Sequence, residues 1–205
     1  MNEYLLYFLA SVAAYLFGSI PWSLVIGKVF YNTDIREHGS GNLGGTNATR
    51  VLGAVPGAFV IVLDILKSFI IVSILSFVDP KLAVLTGMFT SIGHCFPIFA
   101  NFKGGKAVAT NAGYIISVSL FITYNPQIQV LIPLAVFLGV ILVSKMVSLA
   151  SIIALTVASI ISFFQPDLLV SVGITLLSIF SIYRHKDNIK RIVNGEERKV
   201  GSLSK

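Results

Sequence analysis

Charge is scarce in this sequence. Only 12% of its 205 residues are charged, against roughly 25% in an ordinary soluble domain, while 55% are hydrophobic. That balance excludes a soluble globular domain and points to a polytopic membrane protein. Cysteine is almost absent: Cys95 stands alone, so no internal disulfide can form and the redox compartment is left open. Acidic residues are few, 9 against 15 lysines and arginines, for a formal charge of +6. In a soluble chain such an excess would suggest nucleic acid. Here the basic residues are interleaved with apolar runs, a pattern that orients a chain in its bilayer, and no nucleic-acid partner is expected. The sequence also lacks a G-x-S-x-G elbow, an H-E-x-x-H pair and a C-x-x-C pattern, so a covalent serine mechanism and a zinc site have no support.

What is present is a series of long apolar runs. A helix needs about 20 apolar residues to cross the hydrocarbon core, and on that scale the chain divides into about seven spans. The first runs from Tyr4 to about Phe30, with a kink or early end expected near Pro21. Its start carries Glu3 rather than a basic segment, so it reads as a retained span and not as a signal peptide. The polar stretch from Tyr31 to Asn47 separates it from a second span, Val51 to Phe77, closed by Asp79-Pro80. Lys81 to Ala100 is the third, and the basic turn Asn101 to Lys106 opens a fourth that ends near Tyr124-Asn125-Pro126. Gln127 to Val143, the run from Met146 to Gln165-Pro166-Asp167, and Leu168 to Tyr183 complete the series, followed by a polar, basic tail. The expected fold is an all-α transmembrane bundle forming one membrane-embedded domain over residues 1–205.

Lysine and arginine divide unevenly between alternate loops. Lys28, Arg36, Arg50, Lys103, Lys106, Lys145, Arg184, Lys186, Lys190 and Arg191 fall on one face, and Lys81 falls on the other with Glu3, Asp79 and Asp167. The positive-inside rule then places the N-terminus outside and the C-terminus in the cytoplasm, which needs an odd number of spans. It also puts every glycine-rich or basic loop on the cytoplasmic side.

The stretch from His38 to Arg50 packs four glycines, small hydroxyl and amide side chains and one arginine into thirteen residues. Glycine lets N–H groups approach an anion closely, and Arg50 adds a planar fork matched to phosphate oxygens. Gly39-Ser40-Gly41-Asn42-Leu43-Gly44 satisfies the dinucleotide pattern G-x-G-x-x-G. That match is rejected, because the fingerprint requires a preceding strand in a βαβ unit and a membrane helix leads in here. Phosphate binding survives, since cradling N–H groups and a following helix N-terminus suffice. Lys103-Gly104-Gly105-Lys106 is too short for a Walker loop, yet its two glycines would expose N–H groups at the start of a helix continuing through Thr110 and Asn111. At the end of the last run, His185 and Asn188 stand three apart on one helical face, while Lys186, Lys190 and Arg191 read as a basic helix end beside anionic lipid. Asp64 and Lys67, also three apart, read as a structural pair, since an unpaired charge within a span costs about 2.5 kcal/mol or more. His94 and Cys95 point about 100° apart on a helix, which disfavours a Cys-His nucleophile pair.

Together, Ser40 to Arg50, Gly93-His94-Cys95-Phe96-Pro97 with Lys103 to Thr110, Val147-Ser148-Leu149-Ala150-Ser151, and Tyr183-Arg184-His185 with Asn188-Ile189 resemble the bacterial membrane-integral acyl-phosphate:glycerol-3-phosphate acyltransferase family over nearly the whole chain. Gly45 departs from the pattern, standing where many relatives have alanine. The resemblance implies transfer of an acyl group from acyl phosphate to the 1-hydroxyl of glycerol 3-phosphate, giving lysophosphatidic acid and phosphate, as the first acylation of phospholipid synthesis. It implies no cofactor or metal, membrane lipids as surroundings, and a multi-pass protein of the bacterial inner membrane whose site faces the cytoplasm. Glycerol 3-phosphate binding falls to Ser40, Arg50, Lys106 and Ser148, and acyl-phosphate binding to the glycine loop with Asn42, Thr46 and Asn47. Gly41, Gly44, Lys103, Gly104, Gly105 and Thr110 complete the substrate-binding set, and His185 and Asn188 are placed beside the reacting groups. The competing expectation is an organic-phosphate transporter, disfavoured because the polar motifs gather on one face and no internal repeat is evident.

Overall fold

The structure is a computed structural model that describes residues 2–201. Among the described residues all regular structure is helical. The chain divides into two compact units, Met1–Ile122 and Thr123–Lys205.

In the first unit the opening apolar run breaks where Pro21 removes an N–H donor, giving α1 (Glu3–Gly18) and α2 (Trp22–Tyr31). A short helical turn, Ile35–Glu37, leads through the glycine loop into α3 (Gly45–Leu52), which stops at Gly53 with φ +104°. α4 (Ala54–Ser76) follows, and α5 (Pro80–Cys95) starts from Asp79, whose carboxylate accepts the Lys81 N–H at 2.9 Å, with Pro80 in the first turn where no donor is needed. α6 (Val108–Phe121) closes the unit. α4 packs against α3, α5 and α6, and α1 packs against α5. Small residues set these contacts: a Cβ on Gly113 of α6 would stand 2.1 Å from the Ile65 carbonyl oxygen, and one on Gly18 of α1 would stand 2.2 Å from the Thr90 carbonyl oxygen. Between apolar helices in lipid, such close backbone approach supplies the packing that the hydrophobic effect does not.

In the second unit a π-helical turn, Gln127–Leu131, enters α7 (Ile132–Ser144), which packs on α8 (Val147–Ser162); α8 in turn packs on α9 (Leu168–Arg184). α10 (Lys186–Val193) leaves α9 at a bend of 58° centred on His185.

Each of the seven expected apolar runs is helical. Among the described residues four segments are long and apolar enough to cross a membrane, Glu3–Tyr31, Ala54–Ser76, Pro80–Ala100 and Gln127–Ser144, and α9 with α10 makes a fifth if the bent pair is one span. α6 and α8, with 14 and 16 residues, are shorter, so length alone does not reach seven. α6 is short because Lys103 to Ala107 is non-helical, with Ala107 left-handed at φ +59°, before the helix begins at Val108. α3 and α10 were not expected as separate helices. Both are polar and amphipathic, and apolar run length does not register such segments.

Candidate functional site

The glycine loop is built around Asn47, which is 1% exposed. Its Oδ1 accepts the Ser40 N–H at 2.8 Å, and its Nδ2 donates to the carbonyls of Ile35 at 3.0 Å and His38 at 3.2 Å. Gly39 and Gly41 take left-handed φ angles of +64° and +68°, which reverse the chain over this amide. A Cβ on Gly39 would lie 2.3 Å from Asn47 Oδ1. From the far side, Ser23 Oγ of α2 donates to the Leu43 carbonyl at 2.8 Å. Asn47 was expected to touch substrate, but its amide is committed to backbone, and its contribution is the shape of the loop. Ser40, Gly41, Asn42, Gly44 and Thr46 line the turn and start of α3, with Ser40 and Gly41 exposed and Asn42, Gly44 and Thr46 half-buried. At the start of α3 the Asn47 and Ala48 N–H groups both donate to the Gly44 carbonyl, each at 3.1 Å, so the helix begins directly at the end of the glycine turn. Arg50 is exposed one turn further along.

Just upstream, Asp34 gathers two of the cations counted on this face. Arg36 approaches its carboxylate at 2.6 Å and Lys28 at 3.3 Å. The hydrogen bonds from Arg36 hold the Asp34 carboxyl far below the usual carboxylate range, against a smaller effect of burial. These two charges are neutralised locally.

The basic turn lies at the same end of the unit, because Leu43 of the glycine loop and Ala100 share one buried apolar cluster with Leu24 and Ile35. Its two glycines do something other than expected. Neither has a positive φ; the left-handed residues are Asn101, Phe102 and Ala107. The Gly104 N–H donates to the Cys95 carbonyl at 3.2 Å and the Gly105 N–H to the His94 carbonyl at 3.1 Å, so both are turned onto α5 instead of outward. Glycine is needed here for space: a Cβ on Gly104 would fall 2.2 Å from the His94 carbonyl oxygen, and one on Gly105 2.1 Å from His94 Nε2. Of the two lysines flanking them, Lys103 is exposed and Lys106 half-buried. Thr110 is fully buried in the first turn of α6.

The second unit has its own polar cluster, organised by a residue the sequence reading passed over. Glu197, with a side chain 4% exposed, accepts at Oε1 from Ser148 Oγ at 2.8 Å and Asn188 Nδ2 at 2.7 Å, and at Oε2 from Arg191 Nε at 2.8 Å. Burial pushes this carboxyl up, but the hydrogen bonds from Asn188, Ser148 and Arg191 outweigh it and leave it below the usual range. The only sequence signal was the acidic pair Glu196-Glu197 just after Gly195 in a basic tail. His185 is 3% exposed, and its Nδ1 donates to the Ser181 carbonyl at 2.7 Å. A carbonyl only accepts, so Nδ1 carries the hydrogen and Nε2 is the proton-accepting nitrogen of the neutral ring. Lys186 turns away and lies over the Tyr183 ring, 5.5 Å from its centroid.

No group of three or more potential metal ligands occurs among the described residues. Asp64 and Lys67 pair as expected, 2.9 Å apart, and His94 joins them.

These features define an integral membrane protein of helices that carries a glycine loop, a basic turn and two buried carboxylate clusters, around Asp64 and Glu197. A family model described as glycerol-3-phosphate acyltransferase matches residues 8–195. Glycerol-3-phosphate acyltransferase of Listeria monocytogenes serovar 1/2a is 49% identical over 196 residues, covering 94% of this chain and 96% of the relative. That of Bacillus subtilis strain 168 is 48% identical over 193 residues, covering 92% and 95%. The structure is similar to the crystal structure of PlsY (YgiH), an integral membrane glycerol 3-phosphate acyltransferase, in its glycerol 3-phosphate form, with a TM-score of 0.88 at 37% identity and 96% coverage of each chain. The lysophosphatidic acid form gives 0.85 at 36% identity and the same coverage. This chain belongs to the glycerol-3-phosphate acyltransferase family.

Proposed function

We propose that this protein transfers an acyl group from acyl phosphate to the 1-hydroxyl of glycerol 3-phosphate, in the bacterial inner membrane with its site facing the cytoplasm. The observation that carries the reading is the first unit's pairing, at one end, of a glycine loop held by Asn47 with a basic turn presenting Lys103 and Lys106. Both substrates carry phosphate, and such an end supplies what phosphate needs: a guanidinium fork, lysine point charges and helix N–H groups.

In this reading Ser40, Arg50 and Lys106 take the phosphate of glycerol 3-phosphate, and the turn from Gly41 to Thr46, with Asn42, takes that of the acyl donor. Asn47 keeps the turn in shape. The family resemblance assigns Ser148 to glycerol 3-phosphate and His185 with Asn188 to the reacting groups, and within the second unit Glu197 orients Ser148 and Asn188. The glycerol hydroxyl oxygen attacks the acyl carbonyl carbon, the bond from that carbon to the bridging oxygen breaks, and inorganic phosphate departs with the bridging oxygen. The hydroxyl proton passes to His185 Nε2 or to a phosphate oxygen of the donor. Acyl phosphate is already activated, so the step needs no enzyme nucleophile, and the protein's share is orientation and stabilisation of charge on the carbonyl oxygen and departing phosphate. The acyl chain lies among the apolar helices.

The test is the purified chain supplied with glycerol 3-phosphate and either acyl phosphate or acyl-CoA. Formation of lysophosphatidic acid with acyl phosphate is expected. Activity with acyl-CoA alone would overturn the donor assignment.

A further inference from the structure

Three ionisable side chains meet inside the first unit. Lys67 Nζ lies 2.9 Å from Asp64 Oδ1, and His94 Nδ1 lies 3.4 Å from the same oxygen and 3.5 Å from Nζ. Asp64 and Lys67 are 2% and 1% exposed and His94 is 6% exposed. A buried ion pair seldom stabilises a fold better than packed apolar residues of similar volume. Holding α4 to α5 is therefore a weak reason for placing three such groups inside a membrane protein.

What distinguishes the trio is where His94 leads. One edge of its ring faces Asp64 and Lys67. The other edge, Nε2, lies so close to Gly105 that no Cβ fits between them. The Gly104 and Gly105 N–H groups are bonded to the last carbonyls of α5, those of Cys95 and His94. The start of α6 is bound to the same helix, where Ser91 Oγ donates to Asn111 Oδ1 at 2.8 Å. The basic turn therefore rests on His94 between two fixed points, and Asp64 with Lys67 prevents the ring from swinging away.

We propose that Asp64, Lys67 and His94 form a buried positioning network that sets the seat of the Lys103 to Lys106 turn, and so the geometry with which its lysines meet a phosphate group. The inference rests on the reading of that turn as phosphate-binding. None of the three touches substrate; they act through Gly105.

The experiment compares the full-length wild type with His94→Ala, the double variant Asp64→Asn/Lys67→Met, Gly105→Ala, and Gly105→Ala in the His94→Ala background. In each, kcat and KM for glycerol 3-phosphate are measured. Because a misplacement of about 1 Å can cost up to about a hundredfold, the network predicts a rise of about tenfold or more in KM for His94→Ala and for the double variant, with kcat changed far less. Gly105→Ala is expected to raise KM in the wild type and to add nothing once the His94 ring is gone. An unchanged KM in His94→Ala, or a Gly105→Ala penalty that adds in full, would overturn the proposal. His94→Gln stands in if His94→Ala is not recovered from the membrane, and the same KM rise is expected. If the wild type makes no lysophosphatidic acid, the functional reading fails while the network is still tested by alkylation of Ala107→Cys. Ala107 is 1% exposed. The network predicts slow labelling there in the native background and fast labelling with His94→Ala; equal rates would refute it.

Discussion

Asn188 Nδ2 donates to Glu197 Oε1 at 2.7 Å, which ties the first turn of α10 to a carboxylate beyond its end. The same oxygen holds Ser148 of α8, so one buried acid fixes the relation between two helices of the second unit. Replacing it by Gln keeps an acceptor but removes the charge and adds an N–H that must face the Arg191 guanidinium or the donors of Ser148 and Asn188. Glu197→Gln is expected to destabilise by about 1–3 kcal/mol, read as a lower Tm in detergent, and Glu197→Ala by at least as much.

The pH dependence of that effect follows from the lowered titration of Glu197. Its folded-state value lies below its unfolded value, so its stabilisation is complete above the ordinary glutamate range and is lost as pH falls through the folded value. The Tm gap between wild type and Glu197→Gln should be full at neutral pH and shrink on acidification below about pH 4.3. A gap that widens on acidification would contradict this.

Asn47 both accepts and donates within the glycine loop. Asn47→Asp retains an acceptor for the Ser40 N–H but turns a carboxylate toward the Ile35 and His38 carbonyls, so it should be no milder than Asn47→Ala. Each is expected to cost about 1–3 kcal/mol of loop order and to weaken use of glycerol 3-phosphate. The measurement is KM, together with the rate of proteolysis at the loop. Wild-type behaviour of Asn47→Asp would mean that the two donated bonds are dispensable.

These two amides show how much of the site was legible. The composition of the stretch from His38 to Arg50 identified an anion-suited loop, because glycine, amides and an arginine are its ingredients. It did not say which amide holds the loop, since that depends on Asn47 pointing inward from α3, a helix too polar and short for apolar periodicity to reveal. Lys103 to Lys106 was legible as a basic turn, but its glycines serve close packing on His94 and not N–H exposure. That distinction requires knowing where α5 ends. The apolar runs located the helices because run length and hydropathy act locally. Glu197 was illegible, since the partner that ties it to another helix, Ser148, lies 49 residues away in sequence.

Arg50 and His185 separate binding from chemistry. Arg50→Lys keeps the charge and loses the planar fork, and it should raise KM for glycerol 3-phosphate by about 10- to 100-fold, the equivalent of about 1.5–3 kcal/mol for a charged hydrogen bond, with kcat changed less. His185→Asn places an amide N–H near Nδ1 and can retain the bond to Ser181 while removing Nε2. A fall in kcat of about 100-fold or more would mark the histidine as the proton acceptor, and near-normal turnover would assign the proton to the donor phosphate.

The packing of the first unit can be tested without substrate. A Cβ on Gly113 would strike the Ile65 carbonyl oxygen of the neighbouring helix, and backbone cannot move aside as a side-chain tip can. Gly113→Ala should lower stability by about 1–3 kcal/mol or more, measured as Tm of the purified protein. An unchanged Tm would show that α4 and α6 separate without cost.

The central claim is direct acyl transfer by this chain, and its sharpest measurement is a single turnover with acyl phosphate carrying an oxygen isotope at the bridging position. The account predicts one inorganic phosphate for each lysophosphatidic acid, with all of the label in the phosphate and no acyl group on the protein before glycerol 3-phosphate is added. Label in the new ester, or an acylated protein that forms without glycerol 3-phosphate, would contradict it.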